Sequence, residues 1–502
     1  MALLLGYDVG SSSIKATLME SATGKVVGSA TSPGKELDIL AERPGWAEQE
    51  PSVWWENVVS ATQQIRAETG FDAGDVAAIG ISYQMHGLVA VDKGGEVLRP
   101  SIIWCDSRAV EIGRQAAADI GESKCLSKLL NLPGNFTASK LKWVMENEPE
   151  IYSKIDKVML PGDYIAMRMT GRAVTTASGL SEGIMWDFGA DSMAEFVLEN
   201  YGISQELIPA RVATFSVQGE LTAGAADELG LKAGTRIAYR AGDQPNNALS
   251  LNVLEPGEVA VTAGTSGVVY GIADKANCDR QSRVNVFVHV NHISEEPRYG
   301  VLLCVNGTGI LNSWLKHHFA GDGAVTLSYE QMNSIAAEIA VGSEGLSVLP
   351  YGNGAERTLG DRDVGASVHG WNFNIHKRAH FLRAGQEGIV FALNYGLGIM
   401  RDMGIELSTV KAGYANMFLS PLFAEAFATV TGATVELYNT DGSQGAARGA
   451  GIGAGIYEAA EDAFAGLEPV KRIEPNEKLR ADYTRAYERW ESILRHELER
   501  SS

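Results

Sequence analysis

Asp243 stands in the stretch Ala241-Gly242-Asp243-Gln244-Pro245-Asn246-Asn247, a carboxylate followed by a run of amides. A carboxylate so placed can take a proton from an alcohol while the amides hold neighbouring hydroxyls. The same string also suits an aspartate that caps a turn ahead of a proline, and this stretch alone leaves both readings open. A second carboxylate, Asp8, begins the loop Asp8-Val9-Gly10-Ser11-Ser12-Ser13, with Lys15 just beyond. Backbone amides and hydroxyls in such a turn can cradle a phosphate, and Asp8 can hold a hydrated magnesium ion. An ordinary hairpin turn has the same composition. Gly264-Thr265-Ser266-Gly267 is a matching hydroxyl-bearing glycine turn. The chain has no G-x-x-x-x-G-K-[S/T] string, which excludes a Walker-type phosphate loop.

Two further stretches place polar side chains where apolar runs end. Tyr83-Gln84-Met85-His86-Gly87 brings together an amide, a thioether and an imidazole. They suit a pocket for a polyol, and equally a histidine satisfied inside a core. Trp104, Asp106 and Arg108 follow the run Ile102-Ile103, and the ends of strands are where α/β folds place ligands.

The elements that must carry these residues are readable in outline. Residues 3–20 and 258–273 each run apolar, turn on Gly/Ser/Thr and run apolar again, so each is expected as a β-hairpin. The likeness suggests two halves of similar build, meeting near residues 245–258, where Val253-Leu254-Glu255-Pro256-Gly257-Glu258 supplies a turn. Residues 76–84 read as a strand and 51–68 as a helix. Leu479, Tyr483, Tyr487, Trp490, Leu494 and Leu498 recur at helical steps among charges, which predicts an amphipathic C-terminal helix. Gly445, Gly449 and Gly453 fall four apart and miss the dinucleotide pattern, so they predict a helix with a small-residue face for close packing. Strands alternating with helices give an α/β class.

The 502 residues are 45% hydrophobic and 21% charged, with a formal net charge of −20. So acidic a chain is a poor partner for nucleic acid or an anionic membrane surface. No apolar run approaches ~18 residues, so no membrane span is expected. The opening residues lack a basic leader and read as a first strand. The four cysteines are not at metal-ligand spacing, which points to free thiols in a reducing cytoplasm.

Taken in order, "YDVGSSSIKA", "YQMHG", "IIWCDSRA", "AGDQPNNA", "TAGTSG", "VLPYGNGAER" and "GSQGAARGAG" resemble the FGGY carbohydrate kinases over roughly residues 3–455. The resemblance implies two ribonuclease-H-like domains, of the actin, hexokinase and Hsp70 ATPase type, around a deep cleft. They are expected as residues 1–248, holding the sugar and the catalytic base, and 249–502, holding mainly ATP. It implies that Asp243 is the general base, that Asp8 lies near magnesium, and that Met85, His86, Trp104, Asp106 and Gln244 hold the sugar. Ser11, Ser12, Lys15, Gly264, Thr265, Gly309, Trp314, Gly413 and Asn416 are implied on the ATP side. Within the family, Met85-His86 and residues 132–171 point to D-xylulose as the acceptor, with another ketopentose, a polyol or an aldonate as the alternative and an inactive sugar sensor behind both. ATP and Mg2+ are the implied cofactors, the cytoplasm the implied location, and a homodimer is left open. Three positions depart from the family pattern. Lys411 and Ala412 stand where glycines are common, Gly179 where an acidic or amide group is common, and Gln244 where Asn is usual.

Overall fold

In the computed structural model, which describes residues 2–319 and 327–500, two mixed sheets carry the chain. The first has six strands in the order Phe215–Glu220, Arg236–Gly242, Val76–Tyr83, Leu3–Val9, Ile14–Glu20, Val26–Ser32. The second has seven, in the order Asn285–Val288, Tyr299–Val305, Gly267–Ala273, Val259–Ala263, Thr409–Gly413, Thr434–Tyr438, Pro469–Ile473. Both sheets share one plan. A hairpin opens each, Leu3–Val9 with Ile14–Glu20 and Val259–Ala263 with Gly267–Ala273, and its first strand pairs in parallel with a later one. Another parallel strand follows, and then an antiparallel edge. The predicted hairpins are therefore the openings of two like-built α/β domains.

The apolar runs form central strands because their side chains are buried on both faces: Leu4, Leu5, Tyr7 and Val9 in the first sheet, Val259, Val261 and Ala263 in the second. The helix Pro51–Thr69 covers the first sheet with Trp54, Val58, Ala61 and Ile65, and Gly70 ends it in the left-handed region. The C-terminal helix Arg480–Arg500 buries Tyr483, Trp490 and Leu494 of the expected stripe, with Ala486 beside them, while Tyr487 and Leu498 are partly buried and Leu479 precedes the helix.

The small-residue helix Gly442–Gly453 lies in the second half of the sequence but packs on the first sheet, against Leu3–Val9, Val76–Tyr83 and Arg236–Gly242. Backbone meets backbone there. A Cβ at Gly6 would strike the Ser443 carbonyl and the Ala447 amide, and one at Gly80 would strike the Ala446 carbonyl. Asn246 fastens this helix to Asp243–Ser250 by donating Nδ2 to the Gly442 carbonyl at 2.8 Å, which accounts for one of the amides after Asp243.

The domains also touch beside the cleft. Asn131 acts as an extra rung on the edge strand Asn285–Val288: its Nδ2 donates to the Val286 carbonyl at 2.7 Å and its Oδ1 accepts from the Val286 amide at 3.1 Å. The amide of Val288 donates to Ser181 Oγ at 3.0 Å. The sheet edge is thereby paired rather than left open.

Candidate active site

The loops that follow the parallel strands converge on the cleft. Asp8 ends the first strand, Gln84–Gly87 follow Val76–Tyr83, and Asp243 follows Arg236–Gly242. In the second domain Gly264 follows Val259–Ala263, Asn416 follows Thr409–Gly413 and Asp441 follows Thr434–Tyr438. Strand ends of this kind supply ligand sites in α/β folds because the loops there are free to vary while the sheet stays rigid.

One cavity of about 440 Å³ lies at the meeting point, lined by Asp8, Ser11–Ser13, Lys15, Met85, His86, Trp104, Asp243 and Gln244 from the first domain and by Ser266 and Cys304 from the second. A second cavity of about 490 Å³ is built from the second domain, with Gly264, Thr265, Gly309, Asn312, Tyr329, Asn333, Asn416 and Ser420 among its lining residues. The turn of the second hairpin divides the two: Gly264 and Thr265 face one cavity, and the next residue, Ser266, faces the other.

Asp243 begins the helix Asp243–Ser250, half-buried. A helix N-terminus stabilises a carboxylate by about 0.3–1 kcal/mol, less than one pKa unit. Burial first and the nearby Asp8 charge second outweigh that and push the Asp243 carboxyl up to about 7, against hydrogen bonds from Gln244. Asp8 is also raised, by burial and by Asp441, while Ser82 Oγ donates to its Oδ1 at 2.9 Å. Two carboxyl groups line one cavity, Asp8 adding to the rise of Asp243, with Lys15 opposite Asp8 in the hairpin register. Among the described residues no group of three or more His, Cys, Asp or Glu could hold a metal ion by itself.

His86 has a positive φ of 62°. Its ring packs edge-on to Phe136 at 4.8 Å and tilted against Phe287 of the second sheet at 5.4 Å. Nδ1 lies 2.8 Å from the Glu182 carbonyl, which can only accept, so the proton sits on Nδ1 and Nε2 keeps its lone pair. Burial, with Lys140 adding, lowers the imidazole to about 3, so the ring is neutral. Trp104 is 52% exposed and donates Nε1 to Ser11 Oγ at 3.3 Å.

At the second cavity, the amides of Gly309 and Ile310 donate to the Gly264 and Thr265 carbonyls at 2.9 and 3.1 Å. A Cβ at Gly309 would collide with the Gly264 carbonyl, so only glycine lets the segments approach this closely. Behind them Glu356 is fully buried and accepts the Asn306 amide at 2.9 Å, with the Gly307 amide beside it.

Several residues sit differently from expectation. Ser11, Ser12 and Lys15 line the cavity of Asp8 and Asp243, not the one of Gly264 and Asn416. Asp106 is fully buried and lines neither cavity; it accepts from Arg108 and from the Ala47 amide, so its carboxylate is held in an internal ion pair. Trp314 is 50% exposed on the helix Gly309–Phe319, with its ring against His318 and Phe319, outside the cavity lining. Gly413 ends its strand short of the cavity, whereas Asn416, at φ 53°, lines it beside Gly264.

The departures have physical reasons. Lys411 donates to the Asn252 carbonyl and pairs with Glu258 at 2.9 Å, and Ala412 is interior to its strand. A Cβ at Gly179 would lie 2.9 Å from Leu160 Cδ1, so the helix Ala177–Glu182 has no space there for a longer group. Glu182, nearby, is a buried carboxyl raised well above its usual range by burial, with Asp243 and Asp163 adding. Asn312 lines the second cavity from the same helix as Gly309, whereas Tyr329 and Asn333 come from the separate helix Tyr329–Ala337 and had no motif to mark them. Ser266 was visible in its glycine turn; Glu356 stands within VLPYGNGAER and Lys140 within residues 132–171, but neither residue was singled out there.

Comparison with known proteins agrees along the whole length. The N-terminal domain of the FGGY family of carbohydrate kinases matches residues 3–250, and its C-terminal domain matches residues 259–457. The xylulose kinase of Bacillus subtilis (strain 168) is 30% identical over 469 residues, covering 92% of this chain and 90% of its own. The L-xylulose/3-keto-L-gulonate kinase of Escherichia coli (strain K12) is 27% identical over 498 residues, covering 98% and 96%. The crystal structure of xylulose kinase from Rhodospirillum rubrum superposes with a TM-score of 0.86 at 26% identity, over 98% of both chains.

Proposed function

Because the chain belongs to the FGGY family of carbohydrate kinases, a phosphotransferase family with ATP as donor and a sugar hydroxyl as acceptor, we propose that it phosphorylates D-xylulose to D-xylulose 5-phosphate. The observation that carries the reading is the shared turn. An acceptor in the first cavity and a nucleotide in the second are separated only by Gly264-Thr265-Ser266, which lets a phosphoryl group pass from one side to the other.

In this reading the sugar lies against Met85, His86, Trp104 and Gln244, and neutral His86 offers Nε2 to a sugar hydroxyl. Asp243 accepts the proton of the terminal hydroxyl as its oxygen attacks the γ-phosphorus. Its raised pKa makes it a stronger base than an exposed aspartate. Ser11, Ser12, Lys15 and Ser266 face the phosphoryl group in transit, and Gly264, Thr265, Gly309 and Asn416 face the nucleotide. Asp8 fits a Mg2+ ion that draws its other ligands from phosphates and water, as such ions do. When bound, the ion neutralises charge on the phosphates. The first domain thus holds the acceptor and base, and the second holds ATP.

The test is ADP release by the purified protein with Mg-ATP and a panel of ketopentoses, polyols and aldonates. Highest kcat/KM with D-xylulose is expected. Turnover confined to another sugar overturns the substrate, and no turnover with any overturns the whole reading. L-xylulose and 3-keto-L-gulonate belong in the panel because Gln244 puts an additional methylene beside Asp243.

A further inference from the structure

Lys140 sits in the first turn of the helix Thr137–Asn147 with no exposed surface. Its Nζ donates to the His86 carbonyl at 2.8 Å and to the Ile103 carbonyl at 2.9 Å. Those carbonyls belong to the two strand-end loops that line the first cavity, one through Met85 and His86, the other through Trp104. Among the described residues Lys140 makes no ion pair; Asp106, Cys105, Arg108 and Glu182 act on it only through their longer-range fields. Burying an ammonium without a paired anion is costly. Stability alone does not account for this cation, since an apolar side chain of the same length would fill the space at less cost.

Its geometry does account for it. On their far side the two loops are joined by one backbone bond, from the Leu88 amide to the Ile102 carbonyl at 3.0 Å. On the cavity side no backbone bond links His86 to Ile103, and the lysine spans that gap. It holds a carbonyl belonging to His86, whose positive φ is costly for a residue with a side chain.

We propose that Lys140 is a positioning residue that locks the two acceptor loops at a fixed separation and so sets the protein's affinity for its sugar. This rests on the reading of the first cavity as the acceptor site. The lysine does not touch the sugar; it acts through the main chain of His86 and Ile103.

The experiment compares the parent with Lys140→Met and Lys140→Arg. Loss of the two hydrogen bonds to the His86 and Ile103 carbonyls is expected to raise the sugar KM of Lys140→Met about tenfold, with the ATP KM within about twofold of the parent. Lys140→Arg, which keeps the charge and donors, is expected to fall between. If Lys140→Met does not fold, a several-fold rise in the sugar KM of Lys140→Arg alone supports the clamp. A folded Lys140→Met with unchanged sugar KM, or with both KM values rising together, overturns it. In the case that Lys140→Met does not fold, so does an unchanged sugar KM in Lys140→Arg. Amide hydrogen exchange separates the clamp from the acceptor-site reading. Faster exchange at both residues 84–88 and 102–106, with 264–267 unchanged, supports the clamp even if no sugar is turned over, and unchanged exchange in both loops overturns it.

Discussion

The two cavities are braced in opposite ways. Behind the first cavity the buried Lys140 gathers two carbonyls from two separate loops. Behind the second cavity the buried Glu356 gathers consecutive amides, those of Asn306 and Gly307, from a single loop. Burial drives both toward neutrality from opposite ends, Lys140 down to about 7 and Glu356 up to about 7. A brace across two loops bears on their spacing, and in the proposed function on which acceptor fits. A brace within one loop bears on that loop's own shape, which in the proposed function suits a site for one donor.

The sharpest way to separate the two sides is at Asp243, the proposed general base. Asp243→Asn is expected to lower kcat by ~10²–10⁴-fold, the usual range for loss of a general base. Binding of ATP, followed by calorimetry, is expected to hold, because Asp243 faces only the acceptor cavity. Turnover within about tenfold of the parent would remove Asp243 from that role.

On the other side, Gly309→Ala drives a Cβ into the Gly264 carbonyl. A displaced turn is expected to raise the ATP KM and lower kcat by about tenfold to a hundredfold together, with direct sugar binding unmoved. Sugar affinity falling in parallel would mean that the two cavities are not separately built.

The braces themselves are told apart by pH. For Glu356, raised from 4.5 to about 7, the folded protein keeps a proton that the unfolded chain has already released between those values. Its contribution to stability is present below the lower value and falls as pH rises to the upper one. For Lys140, lowered from 10.5 to about 7, the unfolded chain holds the additional proton between 7 and 10.5, so stability rises with pH across that window. Urea denaturation at about pH 5 and about pH 8 is expected to show Glu356→Gln gaining on the parent toward the higher pH. A constant difference would show that Glu356 does not change protonation there. The smallest effect is expected from Gln244→Asn. Shortening one lining side chain is expected to shift the ratio of kcat/KM between competing sugars by a few-fold, about the worth of one methylene in a pocket.

Much of the scaffold was legible because it is local. Hairpin turns on Gly/Ser/Thr, apolar runs and the Tyr483–Trp490–Leu494 stripe each bury one face and leave a periodic trace. The loops carrying Asp8, His86, Asp243 and Gly264 were legible because polar residues stop apolar runs abruptly. What stayed hidden depends on distant partners. Asp106 looks like a site carboxylate until Arg108 and Ala47 are seen to occupy it. Trp314 follows Gly309 by little more than one helical turn, enough to put it outside the cavity. The roles of Lys140 and Glu356 stayed hidden for the same reason: both lie in stretches that carry the resemblance, yet a lone Lys or Glu in a helix or loop announces no burial.

The seating of Gly442–Gly453 on the first sheet has a consequence for how the chain assembles. Strands Leu3–Val9 and Val76–Tyr83 emerge early in synthesis, yet the helix that fits over Gly6 and Gly80 emerges only after nearly the whole second domain. Contacts so far apart in sequence slow folding because a long loop must close before they form. The first sheet therefore waits with one face uncovered, leaving apolar side chains such as Leu4, Ala78 and Tyr239 without the alanines that pack on them in the finished fold. A ribosome-bound fragment ending before residue 442 is a chain that a chaperone has reason to hold.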